Sequence, residues 1–344
     1  MIQVIATTPY TDQKMGTAGL RKKSKVVMQE HYFENFLQSI FNTIDPAGKT
    51  FVVGGDGRFY NSIAIQKLIK MAAANGVKKL IVGQNGFLST PASSNMILKR
   101  RTDGGFVLSA SHNPGGENGD FGIKFATETG GQCSSLVSDR IFAVSQTISE
   151  FKTVDAADID LSRLGMQNLE GMEIEIVDPI SDYVELMEKI FDFELIKKMF
   201  ADGFTMRFDA MNAVTGPYAI RIFEEILGAA KGSVLNAVPK PDFGGLHPDP
   251  NLVYAKELVN IMYADDAPDF GAANDGDGDR NMILGKKFFV TPSDSLAILT
   301  DNYDLIPAYK GGIYGVAKSM ATSTAVARVA SARNIGYYEV PTGW

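Results

Sequence analysis

Apolar residues in this chain follow two alternating patterns. Short apolar runs, too short for helices, recur at 50–53, 79–82, 105–108, 204–209, 270–273, 282–284, 312–316 and 336–340. Each is bounded by Gly, Pro, Asp or Asn and reads as a strand. Between them, apolar residues fall at helical spacing. In residues 30–44, Phe33, Phe36, Leu37, Ile40, Phe41 and Ile44 share one face, and an aromatic stripe of this kind is core rather than a cofactor box. Further helices are predicted over 62–75, closed by Gly76, over 181–200, up to Leu227 with Pro217 near its first turn, over 252–263, from Ser293, and over 323–333. Residues 1–25 read as loop. Residues 126–180 are more polar and weakly periodic, and 237–251 form a Pro/Gly-rich loop. Strand, Gly-rich turn and helix in alternation predict an α/β fold: successive related domains with mixed, largely parallel sheets. The expected boundaries are 1–180, 181–297 and 298–344, the last a partial third domain. No exact repeat is visible.

Two loops break the pattern with chemistry. Residues 105–125 read GFVLSASHNPGGENGDFGIKF. The run to Leu108 is a buried strand. Pro114 has no N–H, and Gly115 and Gly116 permit a turn, so the strand ends and Ser111 and His112 sit on a loop beyond it. In open α/β sheets that end is where ligands bind. Lys124 follows in a second tight stretch. Taken alone, the run fits an ordinary polar turn equally well.

The second loop, DFGAANDGDGDR at 269–280, alternates Asp275, Asp277 and Asp279 with glycines. Three carboxylates at that spacing can converge on one hard cation. An EF-hand needs Gly at position six and Glu at twelve; here those positions hold Arg280 and Lys286. A solvated acidic turn is the plainer reading. The apolar runs on both sides weigh against it, because they set the loop between core strands. A P-loop at Gly48-Lys49-Thr50 fails, since the required earlier glycine is Thr43 and a strand follows rather than a helix.

Taken together, these stretches resemble the α-D-phosphohexomutase superfamily, and within it the eukaryotic-type phosphoglucomutases and their parafusin-like relatives. The matching segments are GTAGLRK at 16–22, SASHNPGG at 109–116, NGDFGIKF at 118–125, DGDGDRNMILG at 275–285 and PTGW at 341–344. The first usually reads Gly-Thr-Ser-Gly, so Ala18 is a small departure. The resemblance implies a phosphoserine at Ser111. It implies a metal site formed by Ser111, Asp275, Asp277 and Asp279, and substrate contacts from Asp279, Arg280, Thr342 and Gly343. Arg21, which otherwise reads as part of a solvated basic run, becomes an active-site cation. Mg²⁺ is the implied metal and glucose 1,6-bisphosphate the priming cofactor. Glucose 1-phosphate and glucose 6-phosphate would interconvert through that bisphosphate. The family has four domains, so a chain ending at Trp344 is expected to lack the fourth and to turn over weakly. Apolar surface left near 305–344 would favour association of an otherwise monomeric chain.

Charge makes this chemistry coherent. A phosphoryl group on Ser111 adds about −1.5 to −2 charges near neutral pH, beside three carboxylates. A hard cation with oxygen ligands and a phosphate partner means Mg²⁺ by default, with Arg21, Lys124 and Arg280 as further cations. His112 or Lys124 would move the proton; the residues alone do not rank them. His247, a lone loop histidine, receives no role. Two alternatives stand beside the mutase: a parafusin-like phosphoprotein that binds partners through Ser111 phosphorylation, and a Mg²⁺-dependent sugar phosphatase. Composition narrows the partners further. A formal charge of −7 over 344 residues and a pI near 5.1 argue against general nucleic-acid binding. No run reaches the roughly 18 apolar residues of a membrane span. The one cysteine, Cys133, excludes a disulfide framework. No secretory leader or glycosylation sequon is visible, and the expected compartment is the cytosol.

Overall fold

Seven of the strands form one sheet in the order Leu20–Lys23, Asp120–Thr127, Gly104–Leu108, Thr50–Gly55, Lys79–Phe87, Met172–Val177, Gly165–Leu169. The computed structural model describes residues 1–16 and 18–342 of the chain. The four strands from Gly104–Leu108 to Met172–Val177 run parallel, and the outer pairings are antiparallel. Central parallel strands are covered on both faces, so their residues are apolar throughout rather than alternating. The pleat divides them. Phe51 and Val53 join a core with Phe33, Phe36, Leu37, Ile40 and Phe41, whereas Val52 joins Met96 and Ile97 on the opposite face. Phe106 lies at the centre of the first core, its ring 5.8, 5.5 and 5.3 Å from those of Phe41, Phe51 and Phe125.

A five-stranded sheet follows, in the order Val234–Leu235, Met206–Asp209, Phe270–Asn274, Asn281–Gly285, Phe288–Val290. Its first three strands are parallel and the rest antiparallel. A parallel pair, Gly315–Ser319 and Gly336–Val340, is joined by the helix Ala325–Arg333. The class is thus α/β with mixed sheets, as expected.

Several elements differ from the sequence reading. Residues 1–25 are not loop: Ile2–Ala6 pairs with Glu150–Val154, and Leu20–Lys23 is the edge of the large sheet. Both pair with strands remote in sequence, so no local turn signal announces them. Lys124 lies on the strand Asp120–Thr127 rather than on a loop. The strand at 79–82 continues through Gly83–Gly86 to Phe87, with Asn85 and Gly86 at positive φ. The stretch 181–200 is two helices, Ser181–Ile190 and Phe193–Ala201. Phe191 is extended between them, and Asp192 caps the second by accepting from Leu195 N–H at 3.0 Å. The helix ending at Met262 begins at Lys256. The helix from Thr215 passes into a π-helical stretch at Ile220–Ile226. Among the described residues, no helix is long and apolar enough to cross a membrane.

Because Phe106 is fully buried among aromatic rings, Phe106→Ala is expected to cost about 3–5 kcal/mol. Chemical denaturation followed by circular dichroism would measure it.

Candidate active site

The chemistry gathers where parallel strands end. Asp56 and Arg58 follow Thr50–Gly55, Thr90 follows Lys79–Phe87, Ser111 follows Gly104–Leu108, and Asp275 follows Phe270–Asn274. This is the carboxyl edge at which α/β sheets bind ligands.

The Ser111 loop is held from below. Arg58 and Asp56 are both buried and paired, with Arg58 Nε 2.9 Å and Nη2 2.8 Å from Asp56 Oδ2. Arg58 also donates to the carbonyl of Ser111 at 2.7 Å and to that of Asp120 at 2.8 Å. Asp56 in turn accepts from Ser109 Oγ at 2.6 Å, and Ser109 Oγ accepts from Ser111 N–H at 2.8 Å. Ser111 is thereby fixed at φ 55°, a region a non-glycine residue occupies only when its surroundings over-determine it. Neither Asp56 nor Arg58 figured among the sequence candidates. The only signal was GGDGR at the end of an apolar strand, which reads equally as a turn.

The carboxylates lie on a hairpin loop between Phe270–Asn274 and Asn281–Gly285. Asp275 Oδ1 accepts from the N–H groups of Gly278, Asp279 and Arg280, each at 3.1 Å, which shapes the loop. Its other oxygen accepts from Ser111 Oγ at 2.6 Å. Glycine at 276 permits this approach, because a Cβ there would lie 2.5 Å from the Ser111 carbonyl oxygen. One oxygen from each of Asp275, Asp277 and Asp279 lies within 4.8 Å of the others. Asp277 Oδ1 is buried with no hydrogen-bond partner. A buried orphan acceptor within an all-oxygen donor set suits a hard divalent cation. Burial, then the charges of Asp277 and Asp279, push the Asp275 carboxyl up to about 8. Burial also opposes the charge on Asp277, but Lys124 and the Thr90 hydroxyl outweigh it and hold that carboxyl down at about 2.

Cations close the group. Lys124, almost fully buried, pairs with Asp277 and lies 3.4 Å from Asp279. Arg21, Lys124, Asp279 and Arg280 line a cleft of about 400 Å³ together with Thr90 and Gln132. The Arg21 Nε is buried and has no partner among the described residues. Burial and the neighbouring Arg280 pull the Arg21 guanidinium below its usual value. Crowded cations with a free donor suit an anion such as phosphate. Arg280 Nη1 donates to His112 Nδ1 at 2.6 Å, and burial and Arg280 lower the His112 pKa. His247, given no role from sequence, lies close by: its ring is near-parallel to that of His112 at 6.4 Å and tilted 57° against that of Tyr254 at 4.1 Å. Ser111, His112, Lys124, Arg21, Arg280 and the three aspartates are therefore brought together. Thr342 is exposed just beyond the strand Gly336–Val340 and is not among the residues lining the cleft. Gly343 lies outside the described residues.

Two outcomes follow. Arg58→Met leaves Asp56 buried without its partner and should destabilise the protein by about 3–5 kcal/mol, read by chemical denaturation. Burial and the neighbouring carboxylates raise the Asp275 carboxyl, so its protonated form competes with cation binding. Divalent-cation binding should therefore release protons and weaken as pH falls. Calorimetry in buffers of different ionisation enthalpy measures both.

Residues 12–152 match the family model of phosphoglucomutase/phosphomannomutase, alpha/beta/alpha domain I, and residues 181–287 that of alpha/beta/alpha domain II. The phosphoglucomutase of Rhizobium radiobacter is 56% identical over 345 residues, a span covering 100% of this chain and 64% of that protein. The chloroplastic phosphoglucomutase of Brassica napus is 52% identical over 348 residues, covering 100% and 55%. The open-form crystal structure of the exocytosis-sensitive phosphoprotein pp63/parafusin, a phosphoglucomutase from Paramecium, superposes with a TM-score of 0.96 at 47% identity. That match covers 100% of this chain and 64% of that one. The chain thus spans under two thirds of the length of these relatives. Matched over both domains, it belongs to the phosphoglucomutase/phosphomannomutase family of the α-D-phosphohexomutase superfamily.

Proposed function

We propose that the protein carries out the phosphoserine half of a phosphoglucomutase reaction, moving a phosphoryl group between Ser111 and the hydroxyls of a glucose phosphate. The observation that carries this reading is the hydrogen bond from Ser111 Oγ to Asp275, within a carboxylate triad beside Lys124, Arg21 and Arg280. A seryl oxygen is a poor leaving group unless charge on the transferring phosphoryl is offset. In this reading Asp275, Asp277 and Asp279, with Ser111, hold Mg²⁺. When bound, the metal offsets phosphoryl charge and makes phosphorus more electrophilic.

The chain's own residues supply the rest. Arg21 and Arg280 clamp phosphate oxygens with their forked donors. Thr342 and Gly343 are proposed to contact the sugar. The sugar hydroxyl oxygen forms the new P–O bond, the P–Oγ bond of Ser111 breaks, and Oγ regains a proton. Lys124 is the proposed proton carrier, because it lines the cleft whereas His112 Nδ1 is engaged by Arg280. Glucose 1,6-bisphosphate is the proposed intermediate and phosphoryl donor. The domain limits 1–180, 181–297 and 298–344 are kept as part of this reading, since the two large sheets and the parallel pair each fall within one of them. We also keep the cytosol as compartment, which suits a chain with one cysteine.

Incubation with glucose 1,6-bisphosphate and Mg²⁺ should add one phosphoryl group to Ser111, detected by intact mass and peptide mapping. Glucose 1-phosphate should remove it, and Ser111→Ala should abolish it. Release of inorganic phosphate in place of sugar-phosphate interconversion would make the protein a phosphatase. A folded chain that never carries phosphoryl at Ser111 would overturn both readings.

A further inference from the structure

We infer that Thr90 is a positioning residue that holds the Asp277 carboxylate in the orientation that leaves one oxygen free for the cation, a role that rests on reading the triad as a metal site. Thr90 is the first residue of the helix Thr90–Arg100. The first four N–H groups of any helix have no partner within it. Here their disposal is complete. Pro91 has no N–H. Ala92 N–H donates to Ser89 Oγ at 3.2 Å, and the N-cap Ser89 N–H to the Tyr218 hydroxyl at 3.3 Å. Thr90 N–H is spent across the seam between the two large sheets, on the Asp277 carbonyl at 2.9 Å.

The Thr90 side chain repeats the link. Its hydroxyl donates to Asp277 Oδ2 and accepts from Lys124 Nζ at 3.3 Å. Lys124 donates to the same Oδ2. One carboxylate oxygen is thus occupied twice while the other, Oδ1, is buried with none. The positive end of the helix, facing Asp277, favours its charged form. Nearby, Tyr218 OH accepts from Ser89 N–H at 3.3 Å and donates to the Pro179 carbonyl at 2.9 Å, which ties the helix start to the second sheet's own helix. A partial rotation of the Asp277 carboxylate would break the Thr90 contact and turn the free oxygen out of its position. The hydroxyl therefore fixes both the carboxylate and the ammonium that faces the cleft.

The test compares Thr90→Val, close in shape but without the hydroxyl, with Thr90→Ser, which keeps it. The probe is Mn²⁺, followed by electron paramagnetic resonance, with thermal unfolding of the metal-free proteins as the control for folding. Groups that orient a metal ligand typically change affinity about 10–100-fold when removed. Thr90→Val should weaken Mn²⁺ binding by about that factor while the metal-free variant still unfolds cooperatively, and Thr90→Ser should restore most of the binding. Equal weakening in both variants, or none in Thr90→Val, would overturn the role. A parallel measurement follows phosphoryl loading of Ser111 from glucose 1,6-bisphosphate. If the unaltered chain fails to load while Thr90→Val still loses Mn²⁺ and Thr90→Ser recovers it, the positioning role stands and the mutase reading falls.

Discussion

The arrangement depends on burying two carboxylates, Asp275 and Asp277, where water cannot solvate them. A buried charge must be paired or hydrogen-bonded, or it is lost to protonation. The two aspartates meet this demand differently. Asp277 has an ammonium and a hydroxyl on one oxygen and keeps its charge. Asp275 has three amides and the Ser111 hydroxyl but no cation, and its carboxyl rises. A divalent cation held by these carboxylates would supply the positive charge that no side-chain partner gives Asp275.

The buried pair beneath Ser111 follows the opposite logic. Arg58 and Asp56 neutralise each other, and the surplus donors of the guanidinium go to main-chain carbonyls of the Ser111 loop. Arginine suits this post because its planar fork reaches several acceptors at once. The Arg58 guanidinium also lies 5.2 Å from the Phe243 ring of the Pro/Gly-rich loop, so the pair braces the second unit as well. A left-handed Ser111 costs free energy that these bonds offset. The site is therefore rigid before any ligand arrives, the condition for electrostatic stabilisation of transferred charge.

Much of this was legible beforehand, and the failures have physical causes. The apolar runs became strands because parallel strands covered on both faces need unbroken apolar sequence. Ser111, the three aspartates and Arg280 stood out because glycines and charges cluster on loops where strands stop, whereas Lys124, expected on such a loop, lies on a strand. The strands Ile2–Ala6 and Leu20–Lys23 were missed because they are edge strands whose partners lie far along the chain. Asp56 and Arg58 hid within an ordinary-looking turn. Thr90 gave no signal beyond that of a helix start, and His247 lay in a loop whose path no local rule specifies.

Local sequence settled what short-range physics can decide: strand or helix, where each stops, and which residues carry charge at the stops. The need for glycine at 276 was not settled locally, since a Cβ there would lie 2.5 Å from the Ser111 carbonyl oxygen of the other sheet's loop. Tertiary structure decided which stops meet. Ser111 and Asp275 are 164 residues apart yet share a hydrogen bond, and Lys124 reaches Asp277 across 153. Such contacts depend on how two sheets dock along their carboxyl edges. Docking is set by shape and buried area summed over many residues, which no single motif encodes. The charge state of Asp275 was settled only there, because it reflects burial and neighbours rather than residue type.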